Sequence, residues 1–443
     1  MSNGTTGDTV LRRVADRPDD APLRFVSAAS LFDGHDAAIN IIRRLLQAHG
    51  AEVVHLGHNR SVADIVRAAI QEDADAIACS SYQGGHNEYF RYMIDMLREQ
   101  DADHIRVFVG GGGTIAPHEI EQLEAYGVER IYTPEDGRRF GLDGMIDDVM
   151  QRIRARPRPA FGFGPVGPRD HRQIARTISA LEAADPDAGL GATLRKAVAR
   201  ATRHVPVVGI TGTGGAGKSS LTDELLMRFV RNFPERNIAV IAMDPTRRRS
   251  GGALLGDRIR MNSLVSGQVF MRSLATRRQN LATSAVLADV LALLRYAAFD
   301  LVVVETAGIG QSDSEIVDLV DVPLYVMTSE YGAASQLEKI DMIDFAELIA
   351  LNKFEKRGAE DALRDVRKQW RRNHAQFQRP DDEVPVYPTI ASRFNDPGVN
   401  RLFAALCGKL DGKTGEAGLW HVADPGPTAQ VERRALVPVN RTR

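Results

Sequence analysis

The stretch VPVVGITGTGGAGKSSLTDELLMRFV, residues 205–230, decides how the second half of this chain folds. It opens on an apolar run with the length of a buried parallel strand and closes on a segment with helical spacing. Between them Gly212-Thr213-Gly214-Gly215-Ala216-Gly217-Lys218-Ser219 matches the pattern GxxxxGK[ST] in full. The glycines let the backbone bend until successive N–H groups converge on phosphate oxygens, assisted by the positive end of the helix beyond them. Lys218 then neutralises the β and γ phosphates and the Ser219 hydroxyl coordinates Mg²⁺, with Gly212, Gly214, Gly215, Ala216, Gly217 and Ser220 around the nucleotide.

Downstream, Phe299–Gly308 (FDLVVVETAG) is an apolar strand ending in a carboxylate. A phosphate-loop protein places its metal-side acid there, which makes Glu305 that acid, with Thr306 beside it. Gly308 fits the glycine that senses the γ phosphate, and the segment GIGQSDSE fits a switch loop. Upstream of that strand, AMDPT (residues 242–246) ends another and continues as RRRSGGALLGDRIRM. Asp244 and Asp257 are placed to reach the metal or its waters, and equally to serve as solvated loop charges or helix caps. Arg260 could meet a phosphate. The metal set is thus Ser219, Asp244, Asp257, Glu305 and Thr306, and the catalytic set Lys218, Asp244, Asp257 and Glu305. Asn352-Lys353-Phe354-Glu355 follows the apolar strand AELIAL and occupies the place of the NKxD signature. There a carboxylate accepts two hydrogen bonds from guanine, and Glu355 supplies the same two oxygens on a longer stem. Guanine is favoured, and Thr389–Ser392 could add backbone contacts to the base edge.

The first half has its own alternation. LRFVSAAS, AEVVHL, ADAIACSS, IRVFVGGG and VERIYT each precede a segment with helical spacing, which reads as βα units in a parallel, doubly wound sheet. Ligands of such sheets gather at loops beyond the strands' carboxyl ends. Three of these loops are unusual: Phe32-Asp33-Gly34-His35-Asp36, Ser80-Ser81-Tyr82-Gln83-Gly84-Gly85-His86, and Gly110-Gly111-Gly112-Gly113. Small hydroxyls and bare glycines at adjacent strand ends leave a deep slot. Asp33, two residues before His35, can hold its imidazole N–H and raise its basicity toward a metal. One histidine holds a bare ion poorly, whereas a metal caged in a macrocycle needs only an axial ligand.

Length and composition bound the rest. The chain has 443 residues, enough for two or three domains, and its formal charge of −2 supplies no field to draw it onto nucleic acid or an anionic membrane. Hydrophobic residues at 43% and charged residues at 26% are globular proportions. Two distant cysteines, Cys79 and Cys407, allow neither a disulfide framework nor a CxxC metal site. No apolar run could span a bilayer and the start lacks a signal core, so the expected location is cytoplasmic. The expected divisions are a flexible N-terminus at 1–22, a first α/β domain at 23–152, a Pro/Gly-rich linker with two helices at 153–204, a second α/β domain at 205–412 and a tail at 413–443.

The DxH loop, SSYQGG and the glycine run together resemble the cobalamin-binding domain of adenosylcobalamin-dependent acyl-CoA mutases. The resemblance implies a flavodoxin-like (Rossmann-type) fold, His35 as lower ligand of cobalt, and a slot for the cofactor's nucleotide tail formed by Asp33, Ser80, Tyr82, Gly110, Gly111 and Gly112. Ala38 and Tyr82 depart from that family's Gly and Leu. The second domain, a P-loop NTPase α/β fold, resembles the MeaB-type G-protein chaperones of such mutases in DPTRRRSGGALLGDRIRM and VETAGIGQSD. The order of the two is similar to the N-terminal half of the fused isobutyryl-CoA mutases.

The resemblance implies adenosylcobalamin and GTP or GDP with Mg²⁺ as cofactors and a GTPase that gates cofactor loading and protection. It also implies an acyl-CoA-binding mutase barrel, in cis or in trans, that interconverts isobutyryl-CoA and n-butyryl-CoA. An adenosyltransferase as cofactor donor and a homodimer through the mutase or G domain follow as expected partners. No barrel could form in the thirty or so residues after Lys413. Two other readings stand beside this one: a metallochaperone GTPase for nickel or cobalt, and a non-enzymatic corrinoid carrier or sensor with a nucleotide-binding domain.

Overall fold

A computed structural model describes residues 12–14 and 21–423, apart from 32, 35, 112, 157, 159, 160, 184–195, 197–203, 247–249, 277–285, 307, 309–315, 332, 333 and 415–417. After a short strand β1 (Arg12–Val14), strand and helix alternate as β2 (Arg24–Ser30), α1 (Asp36–Ala48), β3 (Glu52–Arg60), α2 (Val62–Gln71), β4 (Ala76–Ser80), α3 (His86–Glu99), β5 (Arg106–Gly110), α4 (Pro117–Tyr126), β6 (Arg130–Tyr132) and α5 (Pro134–Arg154). Local chemistry sets several of these starts. Ser61 caps α2 by accepting from Asp64 N at 3.2 Å, and Thr133 and Asp136 cap α5 reciprocally around Pro134.

These strands run parallel in the order β3-β2-β4-β5-β6. That is the flavodoxin-like order, and its topological switch lies between β2 and β4. The two central strands, β2 and β4, are buried from end to end, as a sheet covered on both faces requires.

A connecting strand β7 (Phe161–Phe163) and helix α6 (His171–Ala183) lead to the second domain. It comprises β8 (Val207–Gly212), α7 (Lys218–Asn232), β9 (Ile238–Pro245), β10 (Ala253–Leu255), β11 (Val269–Thr276), α8 (Leu287–Tyr296), β12 (Leu301–Glu305), β13 (Val322–Met327), α9 (Met342–Phe345), β14 (Leu348–Leu351), α10 (Ala359–Asn373), β15 (Val386–Pro388) and α11 (Pro397–Thr414). Its seven parallel strands are ordered β11-β9-β12-β8-β13-β14-β15, which puts β8, the strand before the phosphate loop, at the centre. A short 3-10 turn at Asp257–Arg260 links β10 to β11.

Four features differ from what the sequence suggests. Residues 12–14, expected within a flexible N-terminus, pair antiparallel with Phe161–Phe163 of the Pro/Gly tract. β11 was not among the expected strands, because Arg272 interrupts its apolar run; that arginine is 1% exposed. Trp420, expected in a loose tail, is fully buried against Phe229 and Phe233, with its backbone N–H donating to Asp411 Oδ1 at 2.7 Å. Finally, β10 belongs by sequence to the second domain, yet it pairs parallel with β3 and extends the first sheet to six strands. The second expected linker helix, from 190 to 203, lies outside the described residues save Lys196, as does the basic run 247–249.

Candidate functional site

The second domain gathers its chemistry at the carboxyl end of β8. Gly217, which opens α7, has a φ of 91°, and a side chain there would stand 2.5 Å from Asn352 Nδ2, so the loop needs glycine. Gly214 and Gly215 are exposed at the rim, Ala216 is buried beneath, and Ser220 is half-buried on the first turn. Lys218 Nζ lies back over the loop, donating to Gly212 O at 2.8 Å and Thr213 O at 3.2 Å. Gly308 packs so closely that a Cβ on it would meet Nζ.

Glu305 is 1% exposed and bridges the first turn of the helix: Ser219 Oγ donates to Oε1 at 2.7 Å, and Thr222 Oγ1 approaches Oε2 at 2.9 Å. Thr222 was not foreseen. Its signal is the spacing of three from Ser219, which puts both hydroxyls on one helix face. Arg260 Nη1 comes to 3.5 Å from Ser219 Oγ. Asp244 is buried at the end of β9, two residues beyond the register partner of Glu305. Thr306 directs its hydroxyl to Thr211 Oγ1 at 2.9 Å. The Asp257 side chain and residues 309–315 lie outside the described set.

The expected base contacts divide. Asn352 is a pin: Nδ2 donates to Ala216 O at 2.8 Å, while Oδ1 accepts from Ala391 N at 3.1 Å and Thr389 Oγ1 at 3.2 Å. It therefore ties the phosphate loop to the segment 389–391. Lys353 has a φ of 57°, which turns the chain so that Glu355 is exposed on the same loop. Among the described residues no group of three or more His, Cys, Asp and Glu could hold a metal ion. A Mg²⁺ beside Ser219 would thus take most of its ligands from phosphate and water, as this ion commonly does.

The first domain offers a different site. A cavity of about 320 Å³ opens at the carboxyl ends of its strands, between β2, β4 and β5 on one side and α1 and α5 on the other. Phe25, Ile42, Leu46, Phe108 and Met145 make it apolar, and none of these was singled out by motif. Ser80, Tyr82, Gly110 and Gly111 line its mouth. Asp33 is fully buried and accepts from Tyr82 N at 2.8 Å, which joins the DxH loop to the SSYQGG loop. His35 and Gly112 lie outside the described residues.

Two observations test whether a cobalamin tail fits. Ser80 Oγ is buried with no hydrogen-bond partner, which in a native site signals a missing ligand or water. A Cβ built on Gly110 would meet nothing within 4 Å, so this strand end faces open cavity. On both counts an aromatic, hydrogen-bonding tail fits. Burial, with the nearby Asp33 carboxylate adding to it, raises the Cys79 thiol well above its ordinary range, so this wall stays uncharged.

Comparison with known proteins agrees with this geometry. Residues 174–417 match the family "Methylmalonyl Co-A mutase-associated GTPase MeaB", and residues 23–136 match the B12 binding domain. Over 412 residues the chain is 57% identical to the fused isobutyryl-CoA mutase of Cupriavidus metallidurans, covering 90% of this chain and 37% of that protein. It is 54% identical to the fused isobutyryl-CoA mutase of Geobacillus kaustophilus, covering 89% and 37%. GTPase ArgK of Escherichia coli is 35% identical over 147 residues, 33% of this chain and 44% of that one. The chain thus spans little more than a third of the length of the fused mutases it matches. Among the described residues no helix is long and apolar enough to cross a membrane.

Proposed function

Because the chain belongs to the methylmalonyl-CoA-mutase-associated GTPase family MeaB and carries a B12 binding domain ahead of its GTPase domain, we propose that it couples GTP hydrolysis to the loading and protection of adenosylcobalamin for an acyl-CoA mutase. The observation that carries this reading is the shared sheet: β10, from the loop that follows β9 at the nucleotide site, is an edge strand of the cobalamin sheet.

In hydrolysis Lys218 exchanges the carbonyls of Gly212 and Thr213 for the β and γ phosphates. Were Mg²⁺ bound, Ser219 Oγ would turn from Glu305 to hold it, Glu305, Asp244 and Asp257 would steady it through water, and the ion would supply neutralising charge at the phosphates. Arg260 stabilises phosphate charge, while Lys353 and Glu355 select guanine. Positioning and charge neutralisation suffice, and no covalent intermediate forms.

In the first domain Asp33 orients His35 as the cobalt ligand, Ser80 and the strand-end glycines receive the tail, and the apolar walls exclude water. Cobalamin, when bound, supplies the cobalt–carbon bond that starts radical rearrangement, chemistry belonging to the complete mutase. That mutase, acting on isobutyryl-CoA or n-butyryl-CoA, is the partner, with an adenosyltransferase as donor and a homodimer as the working assembly.

The test is transfer. Chain titrated with adenosylcobalamin should give a base-off, histidine-ligated absorbance spectrum and release cofactor to a mutase only when GTP turns over. Lys218→Ala should lower phosphate release roughly a thousandfold and stop transfer, leaving the spectrum intact. An unchanged spectrum after Asp33 and His35 are both replaced by Ala would remove the cobalamin half of the reading.

A further inference from the structure

Helix α5, which walls one side of the first-domain cavity, is broken within its length. Over its 21 residues a single position leaves helical geometry, Gly141, at φ 69° and ψ 171°. That region of backbone space is essentially closed to residues with a Cβ, so the break is one that glycine alone supplies. A Cβ built on Gly141 would meet nothing within 4 Å, so backbone geometry sets the requirement and space does not. The break separates Pro134–Phe140 from residues 142–154.

The two pieces are held in different ways. Beyond the break Ile146, Val149, Met150 and Ile153 are buried in the core. Before it, no residue from 134 to 140 is fully buried. A piece this short makes barely two turns and would not persist alone. Its bonds lie at one end, where Thr133 and Asp136 cap each other and Arg130 meets Asp136 at 3.1 Å. At the other end Phe140 rests on Gly144, where an added Cβ would stand 3.3 Å from the Phe140 Cβ. The piece is thus a strap, tied at 133–136 and jointed at 141.

This strap stands at the mouth of the cavity. Pro134 and Gly137, three apart and so on one helix face, line it, as does Leu142 just past the joint. Gly137 brings no side chain, so the strap adds little wall as it stands. Meanwhile apolar groups lie in water nearby: Phe140 and Leu142 are 48% and 49% exposed, and Ile41, which lines the cavity from α1, is exposed to the same degree. A cluster of this kind at one opening marks a surface that something covers. The cofactor's tail offers the matching chemistry, an aromatic base with apolar faces joined to an anionic phosphodiester. On the strap the Arg139 guanidinium lies 5.0 Å from the centre of the Phe140 ring, and Arg138 and Arg139 are both exposed.

We propose that Pro134–Phe140 swings about Gly141 and closes on the nucleotide tail of a bound corrinoid, turning Phe140 from solvent onto the base and bringing Arg138 and Arg139 to the phosphodiester. Phe140 is then a residue that selects corrinoids with a tail over those without one. The proposal rests on the cobalamin reading above, and the two fail separately.

The test uses the whole chain with adenosylcobalamin and with adenosylcobinamide, which keeps the corrin and lacks the nucleotide tail. Amide hydrogen exchange across residues 134–142 should slow about tenfold or more with adenosylcobalamin, and stay within about twofold of the free chain with adenosylcobinamide. Phe140→Ser alters a half-exposed side chain outside the cavity lining, so it should melt as the parent does. It should release adenosylcobalamin about tenfold faster and leave adenosylcobinamide affinity within about twofold, while Phe140→Leu restores most of the slow release. Exchange across 134–142 that adenosylcobalamin leaves unchanged, or release from Phe140→Ser at the parent rate, overturns the proposal. Protection that appears only once a mutase is added assigns the exposed rim to that partner and overturns it equally. A parent chain whose absorbance shows no adenosylcobalamin binding overturns the cobalamin reading beneath. Should Phe140→Ser fail to fold, the surface variant Arg138→Ser with Arg139→Ser must speed adenosylcobalamin release several-fold, or the proposal falls.

Discussion

The two ligand sites stand at equivalent places, beyond the carboxyl ends of parallel strands, and are built in opposite ways. At the nucleotide site the side chains at the start of α7 already have protein partners: Lys218 has carbonyls, Ser219 has Glu305, and Glu305 also has Thr222. At the cobalamin site the walls are apolar, and the polar group at the mouth, Ser80 Oγ, has none. Binding at the first is thus an exchange of hydrogen bonds, so its net gain is modest per bond and its selectivity geometric. Binding at the second is mostly burial, with gain that follows area.

The largest effect should therefore come from filling the cavity. Gly110→Leu places a side chain where a Cβ now meets nothing, on a strand end whose backbone tolerates any residue. Excluding an aromatic tail forfeits roughly 150 Å² of apolar burial, about 4 kcal/mol or nearly a thousandfold in affinity. Absorbance titration with adenosylcobalamin measures the loss, and GTP turnover without cofactor should remain at the parent rate. Comparable losses in both would mean the sites differ less than their construction indicates.

A second effect concerns what the sites share. His171, on α6, accepts at Nδ1 from Gln71 Nε2 at 3.0 Å, and that same glutamine holds Arg258. Burial, together with the nearby Arg258 and Arg67, lowers its pKa from 6.5 to about 4. Burial and Arg158 do the same to His104, also to about 4. Between pH 6.5 and 4 the unfolded chain binds protons that the folded chain refuses. Stability is thus full above about pH 6.5 and falls as acid approaches pH 4, by about 2 kcal/mol per histidine at pH 5. Denaturant titrations at pH 7 and 5 read this slope. His171→Gln can still accept from Gln71 but cannot titrate, and should remove about half of it.

How far each site was legible follows from its construction. The phosphate loop is eight contiguous residues whose function resides in backbone geometry, so its spacing announces it. Glu305 could be read because an apolar strand runs into it. The cavity could not, since Phe25, Leu46, Phe108 and Met145 come from separate elements and each looks like ordinary core. The seam between the two domains was hidden for a different reason. Arg272 and Arg258 carry charges that local reading sends to solvent, and only the folded chain brings Glu182 and Glu72 to them. Three residues after a Gly-Gly pair read as loop, yet Ala253–Leu255 become β10 because the edge of β3 offers unpaired backbone groups.

The smallest effect tests the exchange idea itself. When Ser219 turns to Mg²⁺, Glu305 loses one of these two hydroxyl partners and keeps that of Thr222. The Thr222 hydroxyl has one proton, shared between Glu305 Oε2 at 2.9 Å and Lys218 O at 3.0 Å. Thr222→Val keeps the shape and removes the donor, leaving a buried carboxylate oxygen short of one bond. That costs about 1–3 kcal/mol, but part of it is already present before the metal binds, so the differential should lie near 1.4 kcal/mol. The Mg²⁺ concentration for half-maximal turnover should rise about tenfold, with the adenosylcobalamin spectrum and affinity unchanged. An unaltered Mg²⁺ dependence would mean that Glu305 is held by the strand behind it, and that the bonds around Ser219 are not exchanged as a set.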